Sequence, residues 1–226
     1  MSITSPTADW LPQTKPGPAP PQRFSTSYAK ICFGESIMMR RGWGFRFMAA
    51  VSTPERQQWA VETMAIEPDD RLLEIGCGRG VAVSLICQRL TTGKVTAIDR
   101  SATMVRLASE RNAAHVAAGK VEFRAVDLDS ADLPEKSFDK IFAVNVSFFW
   151  LGTKPSQIDR VKRLLVPGGT LYVFNEPPTP ATANAIGDKA EAVLTSHGFT
   201  TLRHKTVSRR GLPLTCVAAV LDRDSS

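Results

Sequence analysis

The sequence predicts an α/β three-layer sandwich, built on a seven-stranded, mostly parallel sheet with helices on both faces and an antiparallel last strand. Three observations predict it. From residue 71 onward, short apolar runs alternate with helical patterns. The stretch LLEIGCGRG at 72–80 leads an apolar run through glycines into a helix, the way a strand meets a ligand crevice. The last two apolar runs, FTTLRHKTV and LPLTCVAAVL, are joined by a Ser-Arg-Arg-Gly turn too short to hold a crossover helix, so they pair antiparallel.

Residues 30 to 65 read as helical, with apolar positions at Ile31, Phe33, Ile37, Met38, Trp43, Phe47 and Met48, a glycine-containing break at 42 to 44, and Pro54 opening ERQQWAVETMA at its first turn. RLLEIG is the first strand, VAVSLICQRL a helix closed by Thr-Thr-Gly, and KVTAID the second strand. Ser101 is expected to cap the next helix, whose Met104, Leu107 and Ala108 share a face. VEFRAV and FDKIFAVNV follow as strands. Ser156 is expected to cap a helix with Ile158, Val161, Leu164 and Leu165 inward, stopped by Pro167-Gly168-Gly169. TLYVF is the fifth strand; Thr179-Pro180 then opens a helix with Ile186, Ala190, Val193 and Leu194 inward and Gly198 just past its end.

The 226 residues suit one domain, and 43% hydrophobic with 22% charged residues is ordinary globular composition. Six prolines fall in the first 21 residues, so 1–28 reads as a flexible proline-rich arm, and 29–226 as a single domain whose helical segment 29–66 covers the site. The start MSITSPTADWLP lacks a basic region and an apolar run, and no apolar stretch is long enough to span a membrane. Cys32, Cys77, Cys87 and Cys216 are not at metal or redox spacing, so reduced thiols, no bound metal and a cytoplasmic location are expected. The net charge of +6 is spread over mixed charges, with two basic groups, Arg40-Arg41 with Arg46 and Arg203-His204-Lys205 with Arg209-Arg210.

The glycine spacing discriminates among nucleotides. Position 81 is Val where a dinucleotide fingerprint wants glycine one residue after Gly80, and the Gly-Lys-Ser/Thr of a P-loop is absent. Glu74 would repel a pyrophosphate and suits an ammonium-bearing ligand. S-adenosylmethionine carries an ammonium and also a carboxylate that N–H groups at a helix start can accept. Asp99, 19 residues after Gly80, ends the second strand, where an acid can take both ribose hydroxyls or cap the following helix.

Taken in order, LEIGCGRG, VTAIDRS, VDLDSADLP, FDKIFAVNVSFFW and RLLVPGGTLYVF resemble the successive motifs of class I S-adenosylmethionine-dependent methyltransferases, over roughly residues 55 to 222. The resemblance implies a Rossmann-like sandwich and S-adenosyl-L-methionine as cofactor. It implies that Glu74, Gly76, Cys77 and Gly78, with the backbone through Gly80, line the methionine end. Asp99 would hold the ribose diol, with Arg100 beside the adenosine; Met104 touches the same region or belongs to the core. Asp127 takes the place of the acid on the adenine amino group, with Asp129 and Asp132 as rivals, and the Leu128 N–H faces a ring nitrogen. Asn145 ends the fourth strand beside the sulfonium.

The cofactor activates the methyl group, so a protein base is optional. Glu176 and Ser147 are the candidate bases, while His115, His197 and His204 read as surface or edge residues. Asn145-Val146-Ser147-Phe148 lacks the two prolines of the family's branch that methylates amino groups of nucleic acids and proteins; Phe148, Phe149 and Trp150 wall a substrate pocket or pack the core. The expectation is methyl transfer to a small-molecule acceptor. A nucleic-acid-modifying methyltransferase and a non-catalytic cofactor-binding domain stand as alternatives.

Overall fold

The computed structural model describes residues 54–146 and 154–221. The proline-rich arm, the segment up to residue 53, the first basic group, Cys32, Ser147 and the Phe148–Trp150 aromatics lie outside them. Seven strands form one sheet in the order β3-β2-β1-β4-β5-β7-β6. They are β1 (Arg71–Ile75), β2 (Lys94–Asp99), β3 (Val121–Ala125), β4 (Phe138–Val144), β5 (Leu165–Asn175), β6 (Phe199–Val207) and β7 (Pro213–Leu221). The first five run parallel; β7 is antiparallel to both β5 and β6 and lies between them. The strand order reverses at β1, which puts the crevice at the carboxyl ends of β1 and β4.

Among the described residues six helices accompany the sheet: α1 (Glu55–Thr63), α2 (Val81–Cys87), α3 (Ala102–Arg111), α4 (Ala113–Ala117), α5 (Pro155–Leu164) and α6 (Pro180–Ser196). Each face of the sheet has its own apolar cluster. Leu73, Ile141, Leu171 and Val173 meet Ile158, Val161 and Leu164 of α5 and Ala190 and Leu194 of α6. On the other side Leu72, Phe142 and Phe174 meet Ala60, Val61, Val83 and Ile86 of α1 and α2. Fully burying a side chain of the size of Phe142 or Phe174 contributes about 1.5–3 kcal/mol. Trp59 of α1 stands edge-on to Phe174, with ring centroids 5.5 Å apart, and so ties the helix to β5.

Most helix ends follow the sequence reading. Ser101 Oγ accepts the Met104 N–H, and Thr179 Oγ1 accepts the Thr182 N–H with Pro180 opening α6. Two assignments shift. The cap of α5 is Lys154, not Ser156, because Pro155 takes the first helical position and holds its predecessor extended. Pro167-Gly168-Gly169 does not end that helix; α5 stops at Leu164, and β5 starts at Leu165 and runs through the Pro-Gly-Gly with a register irregularity against β4 near Phe138. Pro54 caps α1 from just outside it. On α6, buried Gly187 takes the center of the inner face, packed against the Arg203 guanidinium. Among the described residues no helix is long and apolar enough to cross a membrane.

Candidate active site

β1 runs into the glycine loop, and all three glycines have left-handed backbones, with φ of 73° at Gly76, 51° at Gly78 and 66° at Gly80. The Gly76 and Cys77 N–H groups both donate to the Ile98 carbonyl, at 2.8 and 3.1 Å, which locks the turn onto the neighboring strand. The three glycines answer different demands. A Cβ at Gly76 would meet Val146 Cγ2 at 2.6 Å, and one at Gly80 would meet Asn112 Nδ2 at 2.7 Å. A Cβ at Gly78 would meet nothing within 4 Å. Gly76 and Gly80 are therefore packing glycines, and Gly78 faces open crevice.

Asp99 closes the loop from β2. One carboxylate oxygen accepts the Gly78 N–H at 2.9 Å and the other the Ser101 N–H at 2.9 Å. Asp99 thus stands beside the glycine loop and also supports the start of α3. Beneath the loop, buried Asn112 donates to the carbonyls of Gly80 and Ala108 at 3.0 and 2.9 Å, and the Ser84 hydroxyl donates to Asn112 Oδ1 at 2.7 Å.

Two adjoining cavities share Gly76, Val144 and Asn145. The first, of about 410 Å³, is lined by Asp99, Arg100, Asp127, Leu128 and Gln157 among others. The second, of about 370 Å³, is lined by Cys77, Gly78, Arg56, Arg79 and Arg111. Asp127 Oδ1 accepts the Ser130 N–H at 2.8 Å, and that bond holds its carboxyl below the ordinary value. Asp129 accepts from Gln157 Nε2 at 3.0 Å, and neither Asp129 nor Asp132 lines the cavity. Asn145, in left-handed backbone at φ 56°, donates its N–H to the Phe174 carbonyl at 2.8 Å and accepts the Glu176 N–H on Oδ1 at 2.8 Å. It stitches the end of β4 to the end of β5.

Glu74, Gly80 and Met104 do not line either cavity. Gly80 is packed behind the loop. Glu74 is 3% exposed, lies between Ala97 and Phe142 in the sheet, and its Oε2 has no hydrogen-bond partner among the described residues. Burial, then the Asp99 charge, pushes its carboxyl well above the ordinary value. Burial, then Glu74 and Asp99, pushes the Cys77 thiol far up as well, so it stays a thiol and no nucleophile. Glu176 stands at the carboxyl end of β5 with Oε2 on Arg56 Nη1 at 2.8 Å.

The sequence reading passed over Arg56, Arg79, Arg111, Gln157 and Asn112. Arg79 lies inside the glycine motif, where its side chain was in plain view; Arg56, Arg111 and Gln157 come from helices and Asn112 from the junction of α3 and α4, and none carries a local signature. The second basic group divides. Arg203 is neutralized on α6 by Asp188 at 2.8 Å and by Glu191, whereas Arg209 and Arg210 sit on the β6–β7 turn.

Comparison with known proteins accords with this crevice. Residues 72–169 match the family model described as a methyltransferase domain. The chain is 34% identical over 123 residues to trans-aconitate 2-methyltransferase of Paracidovorax citrulli, covering 53% of this chain and 45% of that protein. It is 25% identical over 157 residues to an uncharacterized methyltransferase of Bacillus subtilis, covering 68% of this chain and 84% of that one. It thus spans less than half the length of the first relative. A SAM-dependent methyltransferase from Aquifex aeolicus superposes with a TM-score of 0.61 at 19% identity, over 73% of this chain and 89% of that one. The residues present fit S-adenosylmethionine: an open glycine beside a carboxylate, an acid with an adjacent apolar patch at Asp127-Leu128, and three arginines where a carboxylate end would lie.

Proposed function

We propose that this chain carries a class I S-adenosylmethionine-dependent methyltransferase domain and transfers a methyl group from S-adenosylmethionine to a small-molecule acceptor in this crevice, a reading supported by the methyltransferase-domain match over residues 72–169. The cofactor supplies a methyl group activated on a sulfonium sulfur. Each Asp99 oxygen engages one backbone N–H and keeps a lone pair for a ribose hydroxyl. Asp127 and the Leu128 N–H take the adenine edge, with Arg100 beside the adenosine. Arg79 and Arg111 receive the methionine carboxylate, and the Gly76–Gly78 backbone, whose N–H groups are already held by Ile98 and Asp99, leaves room beside it. Glu74, behind the loop, favors a positive charge placed beyond it, and Asn145 sits where both cavities meet.

The protein's work is alignment and exclusion of water, and holding two reactants in line supplies about 7–11 kcal/mol of a barrier. Glu176 is engaged by Arg56, and because the cofactor activates the methyl group this reading requires no protein base. The trans-aconitate activity named for one relative supports a small acceptor. Neutralization of Arg203 by α6 weakens the case for a nucleic-acid substrate, because it breaks up the basic group that suggested one.

The observation that carries this reading is the Gly78–Asp99 contact, which sets an open backbone and a carboxylate on one rim. Isothermal titration of the full chain with S-adenosylhomocysteine tests it. Binding is expected, and Asp99→Ala weakens it by about 1–3 kcal/mol, the loss of charge-assisted hydrogen bonds. Absence of binding to the wild-type protein at millimolar ligand would sink the reading.

A further inference from the structure

A third cavity, of about 470 Å³, opens beside the methionine end and shares Pro54 and Arg56 with it. Its walls carry three guanidiniums, Arg56, Arg209 and Arg210, and two carboxylates, Glu55 and Glu176. Both carboxylates are spoken for. Glu176 accepts from Arg56 Nη1 at 2.8 Å, and Glu55 accepts the Arg209 backbone N–H at 2.8 Å. Arg209 and Arg210 form no ion pair among the described residues. A tight turn presents them: Ser208 N–H donates to the Leu212 carbonyl, and Gly211 N–H to the Ser208 carbonyl, both at 2.8 Å. The chamber therefore has a surplus of fixed positive charge at the end away from the cofactor cavities. Its near end is tied to them through Glu176, whose N–H is held by Asn145 Oδ1.

We propose that this cavity is the acceptor chamber and that it selects a small acceptor carrying an oxyanion, a carboxylate or a phosphate, which Arg209 and Arg210 hold. The proposal rests on the methyl-transfer reading of the crevice. Guanidinium forks pair such groups bidentately, and the volume suits a small molecule. The held oxyanion is the anchor and not the methylated atom, because two guanidiniums would draw off the electron pair that must attack the methyl carbon. The reacting atom lies at the Pro54–Arg56 end, where the chamber meets the cavity at the methionine end.

The test uses the full chain saturated with S-adenosylhomocysteine, titrated with citrate and, separately, with inorganic phosphate. Wild-type protein is expected to bind at least one of them, and the stronger of the two names the oxyanion. Arg209→Ala/Arg210→Ala is expected to weaken that binding tenfold or more while S-adenosylhomocysteine affinity stays within twofold. The double change Arg89→Ala/Arg106→Ala removes the same charge from two exposed positions, the turn after α2 and the surface of α3, and is expected to leave anion binding within twofold. Wild-type protein that binds neither anion, or a turn variant that binds them as tightly as wild type, overturns the proposal even with cofactor binding intact. So does displacement of the anion by a short RNA oligonucleotide with steep salt dependence, which would assign the arginines to nucleic acid. Failure of S-adenosylhomocysteine to bind defeats the underlying reading instead, and the anion titrations without it still report on the turn.

Discussion

The two ends of β1 treat a buried carboxylate in opposite ways. Just before the strand, Asp70 is 7% exposed and paired: its Oδ2 takes the Glu67 N–H at 2.7 Å and Lys140 Nζ at 2.5 Å. One residue on, Arg71 grips Asp139 through its side chain, at 3.0 and 2.9 Å, and its backbone N–H, at 2.9 Å. Gly93 leaves no room beside them, since a Cβ there would run into the backbone of Asp69 and Asp70. At the other end Glu74 keeps an oxygen without a partner, Gly78 faces open space, and Asn145 holds a left-handed backbone. The amino end spends its polar groups on one another and is closed. The carboxyl end holds some in reserve, where a ligand can reach or sense them, and it gives up stability to do so.

Breaking the closed end has the largest expected effect. Lys140→Ala leaves the Asp70 charge buried without its cation, and about 3–5 kcal/mol of stability is lost, the cost of dividing a buried pair. Urea unfolding measures it. S-adenosylhomocysteine affinity of the folded fraction is expected to stay within a factor of three, because Lys140 Nζ reaches Asp70 and the Ala65 carbonyl, and neither Lys140 nor Asp70 lines a cavity of the crevice. A large loss of affinity would mean the two ends are coupled.

The glycine loop repeats the contrast over two residues. Gly80→Ala puts a left-handed alanine against Asn112 and Ala108, and about 2–4 kcal/mol of stability is expected to go from backbone strain and overpacking together. Gly78→Ala pays only the backbone term, about 1–2 kcal/mol, because its methyl enters open space. That methyl intrudes on the crevice, so S-adenosylhomocysteine binding is expected to fall at least tenfold in Gly78→Ala. Calorimetry and urea unfolding on both variants separate the effects; equal losses of stability would show that the crevice face of Gly78 is not open.

How much of this was legible follows from where each signal lies. The strands, the glycine loop and Asp99 are local patterns, and the structure brings them to one rim. The antiparallel pairing of the last two strands was read from their short connection; the order β5-β7-β6 was not, and it puts the almost wholly buried PLTCVAAVL inside the sheet and FTTLRHKTV at its edge. The Arg56–Glu176 pair was not legible, because 120 residues separate its members and each alone resembles a solvated charge. Asn112 was hidden for a similar reason: a polar residue between two helices looks like surface until a glycine carbonyl is found beneath it. The arginines of the β6–β7 turn were visible as charge, and only the fold divided them from Arg203.

The smallest expected effect bears on the open end alone. Glu74 is buried with its carboxyl raised by desolvation first and by Asp99 second. A raised acid binds its proton more tightly in the folded chain than in the unfolded one. The stability it contributes is therefore fully present below the ordinary carboxyl range and is lost as pH rises from there through the raised value. Glu74→Gln keeps the shape and removes the titration. Unliganded Glu74→Gln is expected to match wild type near pH 4 and to exceed it at pH 8 by about 1–2 kcal/mol, the order of the penalty for a buried unsatisfied group. The same change should weaken S-adenosylhomocysteine binding, because the ligand's ammonium favors the ionized form of Glu74 and glutamine cannot supply that charge. Thermal unfolding from pH 4 to 8, with and without ligand, reads both. If the variant is no more stable than wild type at pH 8, Glu74 has found a partner and the carboxyl end of the strand is as closed as its amino end.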